Sequence, residues 1–416
     1  MKLWLKIFIA LFLGTITGLS IHQGWLPAAL GDFLAPIGTI FLSLISMIIV
    51  LLVFSSMTVG ITSIHDPQKL GRVGIKTLLL YLITTIIAIA IGLLFAKLFE
   101  PGSGLNLTST SVVNVAAPPS LKEIILSIIP VNPMASLVQG NVLQIIVFSL
   151  FLGISINFAG EKGRPLLEVL ESLSDIMFRL TSIIMEFSPI GVFAIMATVT
   201  STFGFAVLPS LFKLVMAYYA ACIFHVIVVF CGILYFLANL NPIPFFKGMS
   251  DAMMMAFSTC SSSATLPVTI HCTQKNLGVS KNVANFVLPL GSTVNMNGAA
   301  IFQGMSAVFI AQAYGIDLSW QSLITIVVTA SLSSIGAAGI PGTGFIMLSV
   351  VFTSVGLPIE GLALLAGIDR IREMMSTVLN ILGDSVCAVY IAKKEGELDE
   401  RQYNHAVLVE LEGSET

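Results

Sequence analysis

Long apolar stretches recur along this chain, and they constrain its fold more than any other feature. Each is long enough for a helix to cross the hydrocarbon core of a bilayer, which takes about 20 residues. Hydrophobic residues make up 56% of the 416 residues and charged residues only 10%, whereas soluble domains average about 25% charged residues. The sequence therefore predicts an all-α, polytopic membrane protein. Its eight predicted transmembrane helices cover residues 5–22, 37–61, 77–98, 124–158, 170–200, 209–238, 283–312 and 360–392.

The distribution of basic residues among the loops predicts the orientation of these helices. Lys and Arg lie before span one, between spans two and three, between spans four and five, and after spans six and eight. Basic loops are retained on the cytoplasmic side, so both termini are expected in the cytoplasm. The alternate loops contain no Lys or Arg, and they cover residues 22–36, 99–119, 201–208 and 313–321.

Two further apolar stretches, residues 252–272 and 323–352, do not fit simple spans because Ser, Gly and Pro interrupt them. Such interruptions free backbone polar groups, which are tolerated at membrane depth only where protein or a water-filled cavity satisfies them. A full crossing by the first stretch would also break the alternation of loop charge. Both stretches are predicted to be re-entrant helical hairpins. A pair of them in corresponding positions is typical of inverted repeats around a central substrate site.

The last span carries ionisable side chains at membrane depth, and its segment Asp369–Asp384 contains five formal charges. Ionisable groups are costly in lipid, so they persist mainly where they face a bundle interior or an aqueous cavity. Spacings of three and four residues place several side chains of this segment on one helix face. These side chains are Asp369, Glu373, Ser376, Thr377, Asn380 and Asp384.

Other polar groups in the C-terminal half suit an anion and a cation. Ser261–Ser263 offer hydroxyls and backbone N–H groups at half-helix ends, which favour a carboxylate; the alternative is a close helix contact between small residues. The polar break Gly291–Gly298 in span seven would expose carbonyl oxygens suited to Na⁺. Asn380 and Asp384 would complete that cation site, unless Asp384 is simply a carboxylate at a helix end.

Glu373 has two possible roles. It would bind a substrate ammonium or carry a proton, or it would pair internally with Arg370 or Arg372. The spacing of the residues favours neither role, and both are compatible with different states of a transporter.

Other classes of function lack sequence support. The chain has no Lys and Arg cluster for nucleic acid, no His-paired nucleophile or metal motif of an enzyme, and no ring of like charges typical of a channel. Its five cysteines lack metal-type spacing and are expected to be buried thiols. The sequence therefore predicts a transporter.

The motifs occur in the order found in a known transporter family. Pro289–Gly298 is similar to that family's Asn-Met-Asp-Gly segment, and Ser261–Ser263, Ile335–Gly344 and Asp369–Asp384 are similar to its other motifs. Gly140–Phe148 is similar to part of its fourth span. The chain thus resembles the glutamate/dicarboxylate:cation symporter family along essentially its whole length.

The resemblance implies a homotrimeric, elevator-type symporter in the lipid bilayer, with an amino acid as substrate and no nucleic-acid partner. A scaffold would hold a moving transport domain, and the second hairpin would be its gate. The compact loops imply a prokaryotic member in a cell inner membrane. The implied divisions are scaffold spans one and two (residues 1–76), transport span three (77–119), scaffold spans four and five (120–208), the remaining transport domain (209–392) and a cytoplasmic tail (393–416).

The same resemblance implies Na⁺ sites, with H⁺ coupling as the alternative. The third site would use an Asp that is Asn297 in this chain. Losing the formal charge of a cation site weakens it, so we expect coupling to fewer Na⁺ ions or to protons. The implied metal ligands are Gly291, Asn295, Asn380 and Asp384 in the first site, Thr293, Ser334, Ile335 and Ala337 in the second, and Tyr81, Thr84, Thr85, Asn295 and Asn297 in the third. Met296 is a further implied metal ligand, not assigned to one of these sites.

The implied substrate site departs from relatives that carry acidic substrates. Those relatives have an Arg where this chain has Ser376 and a Thr where it has Ala299. A buried carboxylate without its charged partner costs about 3 kcal/mol or more. A neutral amino acid is therefore predicted, with an acidic amino acid or C4-dicarboxylate as the alternative. The implied substrate contacts are Ser261, Ser262, Ser263, Met296, Ala299, Ile340, Gly344, Glu373, Ser376, Thr377 and Asn380.

Arg372 bears directly on this prediction. It lies one helical turn before Ser376, and an inward-facing guanidinium at that position would favour an anionic substrate. The choice between a neutral and an acidic substrate therefore depends on where this side chain lies.

Overall fold

The computed structural model describes residues 3–62, 67–105, 107, 129–335 and 343–404. These residues are helical with short connections, and no strand occurs among them, which confirms the predicted all-α class. The α-helices are α1 (Leu3–His22), α2 (Ala28–Thr62), α3 (Pro67–Phe99), α4 (Pro133–Gln139), α5 (Val142–Ala159), α6 (Arg164–Glu186), α7 (Ser188–Phe203), α8 (Val207–His225), α9 (Pro242–Gly248), α10 (Ser250–Thr259), α11 (Ser262–Lys275), α12 (Lys281–Val294), α13 (Asn297–Ala313), α14 (Trp320–Ile335), α15 (Thr343–Ser354), α16 (Leu362–Ala366) and α17 (Asp369–Glu395).

Four helical segments within the described ranges are long and apolar enough to cross a membrane. They are Val73–Phe99, Val207–Leu237, Lys281–Ala313 and Asp369–Glu395. Shorter apolar segments lie in α1, α2 and α7. The number of eight spans therefore stays a prediction, while the multi-pass character of the chain follows from these helices.

The fifth predicted span differs from the structure. Residues 170–200 were expected to form one helix, but α6 begins earlier, at Arg164, and a separate helix α7 begins at Ser188. The physical reason is Pro189, which lacks an N–H donor and is accommodated at the start of a helix rather than inside it. Span four is also divided: its described part consists of α4 and α5, separated by Gly140 with a φ of 68°.

The helices pack in two sets. In one set, α1 packs against α7, and α2 packs against α5, α6 and α7. In the other set, α3 packs against α8 and α13, and α17 packs against α10, α11, α12 and α13. The polar last helix is therefore surrounded by other helices and not by lipid.

The stretch predicted as the first hairpin is a helical hairpin. The arms α10 and α11 pack against each other and are joined by Cys260, whose φ is 54°, and by the extended Ser261. The Ser261 Oγ accepts a hydrogen bond of 3.1 Å from the N–H of Ala264, which caps α11. At the open end, Asn276 Nδ2 donates to the Gly248 carbonyl at 2.7 Å. The two arms thus run back along each other.

The second hairpin consists of α14 and α15, which also pack against each other. Its predicted tip, residues 336–342, lies outside the described residues. Ser333 Oγ donates to Gln303 Oε1 of α13 at 3.1 Å, which fixes one arm against span seven. The first helical hairpin and the two packed arms of the second are therefore observed, and the re-entrant course of both stretches in the membrane stays a prediction.

Span six and the C-terminal segment complete this part of the fold. Helix α8 continues into two turns with i→i+5 hydrogen bonding, Val226–Phe230 and Ile233–Leu237. Beyond α17, Tyr403 is fully buried and donates to the Asn241 carbonyl at 2.9 Å. The described part of the predicted tail therefore packs against the end of span six.

Candidate functional site

Span seven is interrupted at two buried residues. Helix α12 ends at Val294, Asn295 and Met296 have non-helical dihedrals, and α13 begins at Asn297. The structure thus narrows the predicted polar break Gly291–Gly298 to these two residues. In a continuous helix the N–H of Gly298 would donate to Val294; here it donates to Asn380 Oδ1 at 2.8 Å. The break is held open by a side chain of the last helix.

The last helix presents Asn380 and Asp384 to this break. Asn380 Nδ2 lies 3.2 Å from the Met296 Sδ. Asp384 Oδ1 accepts a 2.9 Å hydrogen bond from Asn295 Nδ2. Asp384 is only 2% exposed, and among the described residues no Lys, Arg or His side chain forms an ion pair with it. A buried carboxylate without a basic partner needs a bound cation or a proton.

Gly291 and Tyr81 close this carboxylate off. A Cβ atom at Gly291 would overlap the Asp384 carboxylate and would lie 2.6 Å from the Tyr81 hydroxyl. Tyr81 donates that hydroxyl to the Val287 carbonyl at 2.9 Å. The structure therefore brings together the first predicted set of metal ligands, Gly291, Asn295, Asn380 and Asp384, with the further predicted ligand Met296 beside them.

The residues of the predicted third site also meet, but without a formal charge. Thr85 Oγ1 donates to Asn297 Oδ1 at 3.1 Å, and Thr84 Oγ1 lies 3.5 Å from Asn295 Oδ1. All of these side chains are buried. The Asn297 Nδ2 is buried and has no hydrogen-bond partner among the described residues. An amide with an unsatisfied donor stands where a cation would need a negative charge.

The second predicted site is not assembled by the described contacts. Thr293 Oγ1 donates to Leu290 of its own helix at 3.0 Å, and Ser334 Oγ donates to Ser331 at 2.8 Å. The position of Ala337 lies outside the described residues, and so does the predicted substrate contact Ile340. Ile335 is the last residue of α14. This site therefore stays a prediction.

The predicted substrate contacts on hairpin one and the last helix are partly brought together. Ser261 and Ser262 are buried at the hairpin tip, whereas Ser263 is exposed. Both arms of this hairpin, α10 and α11, pack against α17. Thr377 is buried one turn further along α17, and its Oγ1 donates to the Glu373 carbonyl at 2.9 Å.

Glu373 takes part in an internal ion pair. Its Oε2 lies 3.3 Å from Arg370 Nη1, and both side chains are largely buried. The structure therefore supports the internal-pair role that the sequence left open. A role in substrate binding would require this pair to exchange partners.

Arg372 belongs to the buried polar face, although the predicted face did not include it. Its side chain is 1% exposed, and its Nε donates to Asp369 Oδ1 at 2.8 Å. Its guanidinium stacks over the Phe302 ring at 4.6 Å. The spacing of three residues from Asp369 and four to Ser376 was the signal in the sequence, but spacing alone does not show where a long side chain ends.

The guanidinium of Arg372 lies against one predicted substrate contact, Gly344, and a second, Ala299, neighbours the same glycine. A Cβ atom at Gly344 would lie 3.1 and 3.3 Å from its two terminal nitrogens and 3.6 Å from the Ala299 Cβ. Hairpin two, span seven and the last helix therefore meet at this side chain. Ser376 lies against a different glycine, and its Cα would be 2.5 Å from a Cβ at Gly298.

The close contact at Gly298 yields a prediction. We expect Gly298→Ala to lower the free energy of unfolding by about 1–3 kcal/mol, because the added methyl would overlap the backbone of α17. The same displacement would separate Asn380 from the break and weaken cation binding. The measurement is the thermal midpoint of the purified protein with and without Na⁺.

Gly232→Ala is the matched control for this substitution. Nothing lies within 4 Å of a Cβ at Gly232, so we expect an unchanged or slightly higher midpoint and an intact cation response. Equal behaviour of the two variants would contradict the close packing of α13 on α17.

Comparisons with known proteins place this geometry in context. A family model described as "Sodium:dicarboxylate symporter family" matches residues 3–394. The proton/sodium-glutamate symport protein of Geobacillus stearothermophilus is 38% identical over 406 residues, covering 95% of each chain. The proton/glutamate-aspartate symporter of Escherichia coli (strain K12) is 37% identical over 415 residues, covering 95% of this chain and 94% of the relative. The C4-dicarboxylate transport protein of Anaeromyxobacter sp. (strain K) is 33% identical over 408 residues, covering 96% and 91%.

Proposed function

The chain belongs to the sodium:dicarboxylate symporter family, and on that premise we propose that it is a cation-coupled symporter for a small carboxylate-bearing substrate. It is a multi-pass membrane transporter and not an enzyme. Both Na⁺ and H⁺ are coupling ions in the names of its relatives.

One observation carries this proposal. The Asp384 carboxylate is buried beside the unwound Asn295–Met296 segment, and among the described residues its hydrogen-bond partner is an uncharged amide. A site of this kind binds a cation or a proton when it is filled. Substrate bound at the adjacent polar face would then share its binding energy with the ion, which is the physical basis of coupling.

We further propose the elevator arrangement implied by the sequence. The set of helices around α2 would be the scaffold, and the set around α17 would be the moving transport domain, with hairpin two as its gate. The most extensive helix packing occurs within each set and the contacts between α2 and the helices around α17 are few, which supports this division. A homotrimer in a bacterial inner membrane, with both termini cytoplasmic, completes the proposal.

Two substrate classes remain in competition. This chain has Ser376 and Ala299 where the resemblance predicts the Arg and the Thr of relatives with acidic substrates, and this difference favours a neutral amino acid. That preference presupposed a site without a guanidinium, but Arg372 lies against Gly344, which also neighbours Ala299. We therefore favour the alternative, an acidic amino acid or a C4-dicarboxylate, and keep the neutral amino acid as the second candidate.

Uptake into proteoliposomes tests the proposed function. The purified protein would be reconstituted and supplied with an inward Na⁺ gradient or an inward pH gradient in separate experiments. We expect saturable, gradient-driven uptake of at least one radiolabelled acidic or neutral amino acid or C4-dicarboxylate. Passive flux that neither saturates nor follows an ion gradient would contradict a symporter and favour a channel.

A further inference from the structure

We propose that Arg372 determines substrate specificity, because its guanidinium is placed to bind the second carboxylate of an acidic amino acid or C4-dicarboxylate. This inference rests on the proposed symporter function. In relatives that carry acidic substrates, the resemblance gives this carboxylate-binding role to an Arg at the position of Ser376. Here we assign the role to Arg372. Asp369 would hold the guanidinium in place before the substrate arrives.

The hydrogen bonds of Arg372 leave part of its guanidinium available. Nε and Nη2 both donate to the same oxygen, Asp369 Oδ1. Among the described residues, Nη1 has no hydrogen-bond acceptor. A guanidinium carries five N–H donors in a planar fork that matches a carboxylate. A second carboxylate can therefore bind to the free side of the fork.

The free side of the fork faces the substrate positions. Nη1 is the nitrogen nearest to the Cβ position of Gly344, at 3.1 Å, and Ala299 is the next neighbour of that position. A Cβ atom at Gly344 would crowd the guanidinium, so the glycine leaves room for it beside Ala299.

Phe302 and Asp369 orient the guanidinium. The ring of Phe302 lies 4.6 Å from the guanidinium carbon, within the range of a cation–π contact. Asp369 balances the positive charge in the substrate-free protein, so burial of Arg372 does not leave an unpaired charge. Both contacts hold the fork in one direction, which favours bidentate binding of a carboxylate.

A purely structural ion pair between Arg372 and Asp369 is the competing explanation. It would stabilise the first turn of α17 without contributing to the choice of substrate. Removal of the pair would then lower stability but leave the relative affinities for acidic and neutral ligands unchanged. The ratio of these two affinities is therefore the decisive readout.

The test compares Arg372→Lys, Arg372→Gln and the double variant Asp369→Asn/Arg372→Gln. The double variant removes both charges together, so neither is left buried and unpaired. Thermal shift and competition for uptake would be measured with L-glutamate, L-aspartate and succinate as acidic ligands, and with L-alanine and L-serine as neutral ligands. Arg164→Gln is the control, because it removes a positive charge from an exposed surface pair.

We expect the wild-type protein and Arg164→Gln to prefer at least one acidic ligand. In Arg372→Gln and in the double variant, the affinity ratio of acidic to neutral ligands should fall about 100-fold, while the stabilisation by Na⁺ is retained. In Arg372→Lys the affinity ratio of acidic to neutral ligands should fall about tenfold, because an ammonium keeps the charge but not the planar fork of donors. The response to Na⁺ verifies that each variant is folded.

Two outcomes would overturn the inference and leave the symporter function intact. One is ion-driven uptake by the wild-type protein of neutral amino acids alone. The other is an unchanged ratio of affinities in folded Arg372→Gln, in the folded double variant or in Arg372→Lys. Absence of ion-driven uptake of every ligand by the wild-type protein would instead contradict the proposed function itself.

Discussion

Asp384→Asn is expected to abolish the stabilisation of this protein by Na⁺ and, at the same time, to raise the thermal midpoint of the Na⁺-free protein. The carboxylate is buried against Gly291 and has an amide hydrogen-bond partner but no basic one among the described residues. An unpaired buried charge is strongly destabilising, and its removal relieves that cost. The bound cation, however, loses the formal charge that attracts it. We expect the Na⁺ affinity to fall about 100-fold or more.

The measurement is the thermal midpoint of purified protein as a function of Na⁺ concentration at constant ionic strength. Asp317→Asn is the matched control, because Asp317 is exposed in the loop after α13. It should behave as the wild-type protein in both conditions. If the thermal midpoint of Asp384→Asn depends on Na⁺ concentration as that of the wild-type protein does, the cation binds elsewhere and the proposed site is wrong. If protons are the coupling ion, the variant should instead lose uptake driven by the pH gradient.

The polar face of the last helix shows how much of the site the sequence determines. Because a helix repeats every 3.6 residues, spacing alone predicted that Asp369, Asn380 and Asp384 share a face, and all three are buried on α17. The cost of ionisable groups in lipid predicted that this face is sheltered. Both inferences depend on local geometry and on solvent, which a single sequence encodes directly.

Arg372 shows where such inferences end. Periodicity specifies the direction of a Cα–Cβ bond, but a guanidinium lies several rotatable bonds further out. Its position is set by Asp369 and Phe302 and by the room beside Gly344. Two of these three residues belong to other segments of the chain, so the substrate preference could not be derived from the last helix alone.

The helix interruptions show a similar division. The run Gly291–Gly298 predicted a break in span seven, but only the structure shows that Asn295 and Met296 form it and that the N–H of Gly298 is taken by Asn380. In span five, hydropathy predicted one continuous helix and overlooked the local effect of Pro189. Hydropathy averages over a window, whereas a missing N–H acts at one position.

Asn297→Asp is expected to add one Na⁺ ion to the coupling stoichiometry. Thr85 donates to Asn297 Oδ1 at 3.1 Å, and the oxygen of Asn295 and the hydroxyl of Thr84 lie beside them. The Asn297 Nδ2 has no hydrogen-bond partner among the residues that the structure describes, so its replacement by oxygen sacrifices no hydrogen bond there. The substitution supplies a formal charge to a group of oxygens that otherwise lacks one, which is what a hard cation requires.

The expected signature is a steeper rise of stability with the logarithm of the Na⁺ concentration, and not only a change in stability. Without Na⁺, Asn297→Asp should have a lower thermal midpoint than the wild-type protein, because a charge is buried without a partner. Above saturation of the first ions, each additional bound Na⁺ adds about 1.4 kcal/mol of stabilisation per tenfold rise in Na⁺ concentration. The stabilisation of the variant should therefore rise more steeply by that amount, and its uptake should require more Na⁺ ions per substrate.

Asn285→Asp is the matched control for this substitution. Asn285 is exposed on α12, and its side-chain oxygen accepts a hydrogen bond from Gln274 at 2.9 Å that an Asp would retain. The control should keep the wild-type slope and the wild-type number of coupled ions. Parallel Na⁺ dependences of Asn297→Asp and the wild-type protein would mean that the missing charge is not what limits the third site. In that case the surrounding oxygens of Thr84, Thr85 and Asn295 must be too far from a common centre, and geometry as well as charge would limit cation binding at this site.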